Sequence, residues 1–180
     1  MKNAPPVIAA VLVGLAIGCG AGSTPTQGVT TPTSQAGTSS VKFLATLSPL
    51  NEVPPVTDAE SSGSGTATIT LNVTKDAGGN ITAATADFQV SLSGFPATTV
   101  LTAGHIHPGA LGINGSVLVG TGVTSGDNIM SGGAGSFTRN GINVAASDAQ
   151  AIINTPVTYY FNVHSVAHGG GFARGQLVKQ

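Results

Sequence analysis

Across residues 66–74 the chain alternates without a break: Ala67, Ile69, Leu71 and Val73 are apolar, while Thr68, Thr70 and Asn72 between them are polar. Successive side chains of a strand point to opposite faces, so this period of two puts the apolar four on one side and excludes a helix. Asp76-Ala77-Gly78-Gly79-Asn80 is a turn, after which Ala86, Phe88, Val90 and Leu92 alternate with Asp87, Gln89, Ser91 and Ser93. Two one-sided strands around a Gly-rich turn predict an antiparallel hairpin with one buried face. A further run over 157–164 sets Val157, Tyr159, Phe161 and Val163 against Thr158, Tyr160, Asn162 and His164. Sheets with a single apolar face must cover it with another layer.

One segment departs from this pattern. Ser147-Asp148-Ala149-Gln150 has the spacing of a capping box, with Ser147 as the cap, and Ala151-Ile152-Ile153 follows before Asn154 and Pro156 end the run. Many short strands and one short helix predict an all-β fold, an antiparallel Greek-key-like β-sandwich. Trp is absent and Phe and Tyr together number eight, so Val, Ile, Leu and Ala must build most of the core.

The amino terminus reads differently. Met1-Lys2-Asn3 is a short positive start, residues 7–17 are an apolar run, and Ala16-Ile17-Gly18 places small residues before Cys19, the lone cysteine. The run is too short for a transmembrane helix of roughly 20 residues. It resembles a bacterial lipoprotein signal whose lipobox cysteine becomes the lipidated first residue, with Ala16 where Leu is usual. A single cysteine also excludes an intrachain disulfide. Residues 20–40 are almost entirely Gly, Ser, Thr, Ala, Gln and Pro and read as a flexible tether. The organisation expected is therefore a signal over 1–19, a tether over 20–40 and one folded domain over 41–180.

Charged residues make up 7% of the chain and the net charge is -1. Lys2, Lys42, Lys75, Arg139, Arg174 and Lys179 form no basic stripe, which excludes a nucleic-acid partner. No Ser-His-Asp order, phosphate-binding glycine loop or paired carboxylates stand out.

The chemistry concentrates in the histidines. His105 and His107 are two residues apart and share a strand face, with Ile106 on the other. His164 falls on the polar face of the last strand. If the two strands are neighbours, three imidazoles meet, a nitrogen-rich set suited to copper or zinc. His168, next to Gly169-Gly170-Gly171, is a candidate fourth ligand or a solvated side chain. Glu52, Asp58, Glu60 and Asp127 are the carboxylates outside regular elements, and a buried Glu52–Arg174 pair is expected in a chain so poor in charge. The alternative is that the histidines only brace loops.

Four motifs carry a family resemblance: Asn51-Glu52-Val53-Pro54-Pro55-Val56, Gly104-His105-Ile106-His107-Pro108-Gly109-Ala110-Leu111-Gly112-Ile113-Asn114-Gly115, Tyr160-Phe161-Asn162-Val163-His164-Ser165 and Arg174-Gly175-Gln176-Leu177. In this order they resemble the CHRD domain, named after chordin, over about residues 41–178. The resemblance implies an extracellular binding module. The family's usual ending is similar to Gly-Glu-Ile-Arg-Gly-Gln, and here Phe172 and Ala173 stand where Glu and Ile are expected. The His-x-His strand, a later His and the Gly-Phe-Ala-Arg segment are also distantly similar to the Cu/Zn superoxide dismutase sandwich. That likeness implies an anion-steering Arg174, but four histidines cannot supply separate copper and zinc sites.

Together these readings predict a non-enzymatic, lipid-anchored binding protein of the bacterial cell envelope, on its periplasmic or extracellular side. Its partners would be the lipid bilayer through Cys19 and a surface protein or glycan, and its cofactor copper or zinc at His105, His107 and His164, with His168, Arg174 and Glu52 nearby. A dismutase-like copper enzyme and a metal-free interaction or adhesion module are the alternatives.

Overall fold

A computed structural model of the chain describes residues 36–180. Cys19, the expected signal and most of the expected tether lie outside the described residues. Among the described residues, ten strands and one α-helix follow in order: β1 Gly37–Leu47, β2 Ser64–Lys75, β3 Ile81–Ser93, β4 Leu101–Pro108, β5 Val119–Gly120, β6 Met130–Ser131, β7 Ala134–Val144, α1 Ala146–Asn154, β8 Tyr159–Ser165, β9 Ala173–Gln176 and β10 Val178–Lys179. They form a six-stranded sheet of order β10-β1-β2-β3-β7-β6 and a four-stranded sheet of order β5-β4-β8-β9. All pairings are antiparallel, and the architecture is an all-β sandwich with one helix.

The alternation of β2 and β3 sets their register: Ala67 lies opposite Val90, Ile69 opposite Phe88 and Leu71 opposite Ala86. A slip of one residue would turn this whole row to solvent. The connecting turn is held by Asp76, whose Oδ1 accepts from the backbone N–H groups of Gly78 and Asn80, and Gly79 supplies the positive φ of 84°. From the smaller sheet Ile106, Phe161 and Val163 meet this row, and Phe88 and Phe161 pack with ring centroids 5.8 Å apart. Gly104 lies on the same inner face, where a Cβ would come within 3.1 Å of the Phe161 ring. The two sheets thus enclose one apolar core.

Three local expectations change. β1 begins at Gly37, inside the stretch whose composition reads as tether, because Gly37–Ser40 pair through their backbones with Asn72–Lys75 and need no apolar side chains. The run expected over 157–164 is β8, which begins at Tyr159 rather than Val157 and is followed by two further short strands, since Pro156–Thr158 form a 3-10 turn and leave Val157 exposed. Ser147 is not the cap: α1 starts at Ala146, with extended Ala145 as the N-cap and no side-chain capping bond. β7 runs to Val144, so the chain turns helical directly from the strand, and Ala149 and Ile152 bury the helix against the sheet. Among the described residues no helix is long and apolar enough to cross a membrane.

Candidate metal centre

β4 and β8 are neighbours, and their register places His105 opposite Asn162 and His107 opposite Tyr160. Odd-numbered residues of β4 and even-numbered residues of β8 therefore share the face turned away from the core. That face is nonetheless covered. His107, Asn162, His164, Arg174 and Glu52 are all buried, and His105 is the half-exposed member through which the group reaches solvent.

Three loops make the cover. Residues 109–118 fold back over β4 and bring the Gly115 carbonyl to 3.0 Å from His107 Nδ1. The loop after β8 brings the Gly169 carbonyl to 3.0 Å from His164 Nδ1. The segment after β1 is pinned to β9 by reciprocal backbone hydrogen bonds between Ser48 and Arg174, 3.1 and 3.2 Å, and carries Glu52 underneath.

The nitrogen atoms of His105, His107 and His164 that could bind an ion lie within 4.8 Å of one another. A carbonyl only accepts, so Nδ1 of His107 and of His164 each donate, and both Nε2 atoms of the neutral rings carry lone pairs. His107 Nε2 is buried with no hydrogen-bond partner. His164 Nε2 lies 3.0 Å from His105 Nδ1 and 3.0 Å from Asn162 Oδ1. Two nitrogens on one tetrahedral zinc are about 3.3 Å apart, from bonds of about 2.0–2.1 Å. The donor set thus fits a small divalent ion, and ring N–H groups held by carbonyls are the usual orienting partners of ligating histidines.

The electrostatics favour the same state. Burial, then the charges of His164 and His107, hold the His105 imidazole down to about 4. Burial also lowers the pKa of His107 and of His164. The rings are neutral near pH 7, which is the ligating form.

His168 stands apart from the trio. Its Nε2 lies 2.9 Å from Asp58 Oδ2 and 3.8 Å from Glu60 Oε2, and Glu60 is itself bonded by Thr99 and Ser165. Asp127 pairs with Arg139 at 3.0 Å. The expected Glu52–Arg174 ion pair does not form, although both side chains are buried: Arg174 donates to Asn114 Oδ1 at 2.9 Å and to the Ile113 carbonyl at 3.1 Å, and Glu52 Oε1 has no partner. The guanidinium satisfies the carbonyls of the covering loop, which a carboxylate could not do. Burial pushes the Glu52 carboxyl up to about 7 against the opposing charge of Arg174. Arg174 is fully buried over the Tyr160 ring, so it supports the loop and is not placed to meet a solvent anion. Phe172 packs edge-on against Phe95 in the core, centroids 4.8 Å apart, and Ala173 is buried beside it.

Sequence reasoning missed Tyr160, whose ring stacks on His107 at 4.9 Å and 6° and whose hydroxyl accepts from Gly115 N–H at 3.3 Å. It also passed over Asn162. The signal was present: both alternate with His164 on the polar face of β8.

No curated protein and no solved structure matches the chain. The family model of the CHRD domain matches residues 43–177 of the 180. With three quarters of its length matched, the chain belongs to the CHRD domain family.

Proposed function

We propose that this CHRD domain is a non-enzymatic metal-binding module of the bacterial cell envelope. It holds one copper or zinc ion through His105, His107 and His164, and a lipidated Cys19 tethers it to a bilayer. The observation that carries the metal reading is the buried, unpartnered lone pair of His107 Nε2 beside two further imidazoles. An apolar function would not orient such an atom inward, since an unsatisfied buried acceptor costs about 1–3 kcal/mol. The ion supplies the missing partner and, once bound, links three side chains from two strands.

The test is metal content and affinity of the purified protein beside His107→Ala. About one copper or zinc per chain, lost in the folded variant, supports the reading, and no uptake at micromolar metal rejects it. The anchor is tested separately: Cys19→Ser should move the protein from the detergent phase to the aqueous phase and remove the acyl mass.

A metal-free interaction surface is a second reading. Leu111, Ile113 and Val117 are 71%, 58% and 55% exposed on the loop that covers the histidines. Binding of a surface protein or glycan that persists in chelator would favour it.

A further inference from the structure

Three imidazoles leave one position of a four-coordinate ion open, and one polar side chain already stands beside them. Asn162 precedes His164 by two residues on the same strand face and lies directly opposite His105. It is buried, and its Oδ1 is 3.0 Å from His164 Nε2.

That contact cannot be an ordinary hydrogen bond in this arrangement. The single ring proton of His164 is on Nδ1, committed to the Gly169 carbonyl, so Nε2 presents a lone pair. Oδ1 presents another. Two acceptors facing each other at this distance repel unless a positive centre lies between them. His107 Nε2, the third lone pair of the group, has no partner at all.

Turning the amide over would give His164 a donor, but it would move the loss elsewhere. The Asn162 amide nitrogen and Glu52 Oε1 both lie within 2.6 Å of the point where a Cβ on Gly171 would stand. Glu52 Oε1 is buried without a hydrogen-bond partner, and Nδ2 is the amide atom on its side, so the amide turns a donor rather than a second acceptor toward the carboxyl. The reversed amide sets one acceptor against another there. Oδ1 is thereby left facing the imidazoles.

We propose that Asn162 completes the centre as its fourth ligand through Oδ1. The proposal rests on the three-histidine reading and deepens it. The resulting set is three neutral nitrogens and one neutral oxygen. With no thiolate or thioether it disfavours monovalent copper and suits divalent zinc or copper. Zinc ligands are usually His, Cys and carboxylates, so the alternation that puts Asn162 beside His164 does not by itself mark a carboxamide as a ligand.

The experiment compares the full chain with Asn162→Ala, Asn162→Asp and His107→Ala. Zinc affinity is read by competition with a colorimetric chelator, and each variant's fold is checked by thermal melting. Asn162→Ala should lose at least about tenfold in affinity. Asn162→Asp keeps an oxygen in place and should retain binding, while the ligand-field bands of its cobalt(II) form should move from the wild-type positions. Wild-type affinity in a folded Asn162→Ala overturns the proposal, and so do unmoved cobalt bands in Asn162→Asp. If Asn162→Ala does not fold, the cobalt bands alone decide. Binding in the wild type and in Asn162→Ala alike, with His107→Ala inactive, removes Asn162 and leaves the histidine centre standing. No binding by the wild type removes both.

Discussion

The Arg174 guanidinium lies 3.9 Å from the centre of the Tyr160 ring, and the same ring stacks on His107 from its own side. A buried cation therefore reaches a candidate ligand through one aromatic side chain. Arg174 also holds Asn114 and the Ile113 carbonyl, so it fixes the loop that supplies Gly115 to His107.

Arg174→Lys should consequently behave as a severe change. An ammonium has no planar fork to meet Asn114 and the Ile113 carbonyl together while lying flat on a ring. We expect a loss of about 2–3 kcal/mol in denaturant unfolding and weaker metal binding in the same variant. Stability equal to wild type would contradict the place given to Arg174.

Gly115→Ala separates the loop from the core. A Cβ at this position would collide with the Pro108 carbonyl oxygen, so the loop must move and take the Gly115 carbonyl away from His107. The inter-sheet core is untouched. Metal affinity should fall by about tenfold with a much smaller change in melting temperature. A variant that melts early yet binds as well as wild type would argue against the orienting role of that carbonyl.

Acid should weaken the metal-free domain through His105. Its folded pKa is about 4 against an ordinary 6.5, so between these values the unfolded chain binds a proton that the folded one refuses. Stability is full above pH 6.5 and falls as the pH drops toward 4. Glu52 acts in the opposite direction: its folded pKa of about 7 against 4.5 means that stability present at acid pH is lost as the pH rises through that window. Glu52→Gln cannot ionise and should gain on the order of 1 kcal/mol over wild type at pH 8 compared with pH 4. Parallel pH curves for the two proteins would refute this.

Metal should stabilise the fold by mass action, by about 2.7 kcal/mol at a free concentration one hundred times the dissociation constant. Thermal melts with and without zinc measure it. The shift should vanish in His107→Ala and persist in His168→Ala, because His168 is engaged with Asp58 away from the trio. A His168→Ala protein that no longer responds to zinc would return His168 to the ligand set.

Much of this fold is legible along the chain. The alternation from Ala67 to Val73 and from Ala86 to Leu92 names both the strands and their buried faces, because a period of two is a property of the backbone itself. The same rule puts His105 and His107 together and assigns His164 to the polar face. The failures are at ends and partners. Ser147 has the right spacing for a cap, yet β7 delivers the chain to Ala145 already extended, and the helix begins there. Glu52 and Arg174 are each buried as opposite charges should be, but Arg174 meets carbonyls of a loop whose docking no local pattern describes.

The sequence by itself determines the strongly alternating strands β2, β3 and most of β8, their apolar faces, and membership of a recognisable motif order, since these depend on neighbours a few residues away. Only the tertiary structure decides that β4 lies beside β8, that three loops close over a polar sheet face, and that Gly115 and Gly169 place the ring protons of His107 and His164 on Nδ1. Those outcomes rest on backbone pairings and hydrogen bonds between segments far apart in the chain. The lone pairs that make a metal centre of three histidines exist only once that long-range pairing has been made.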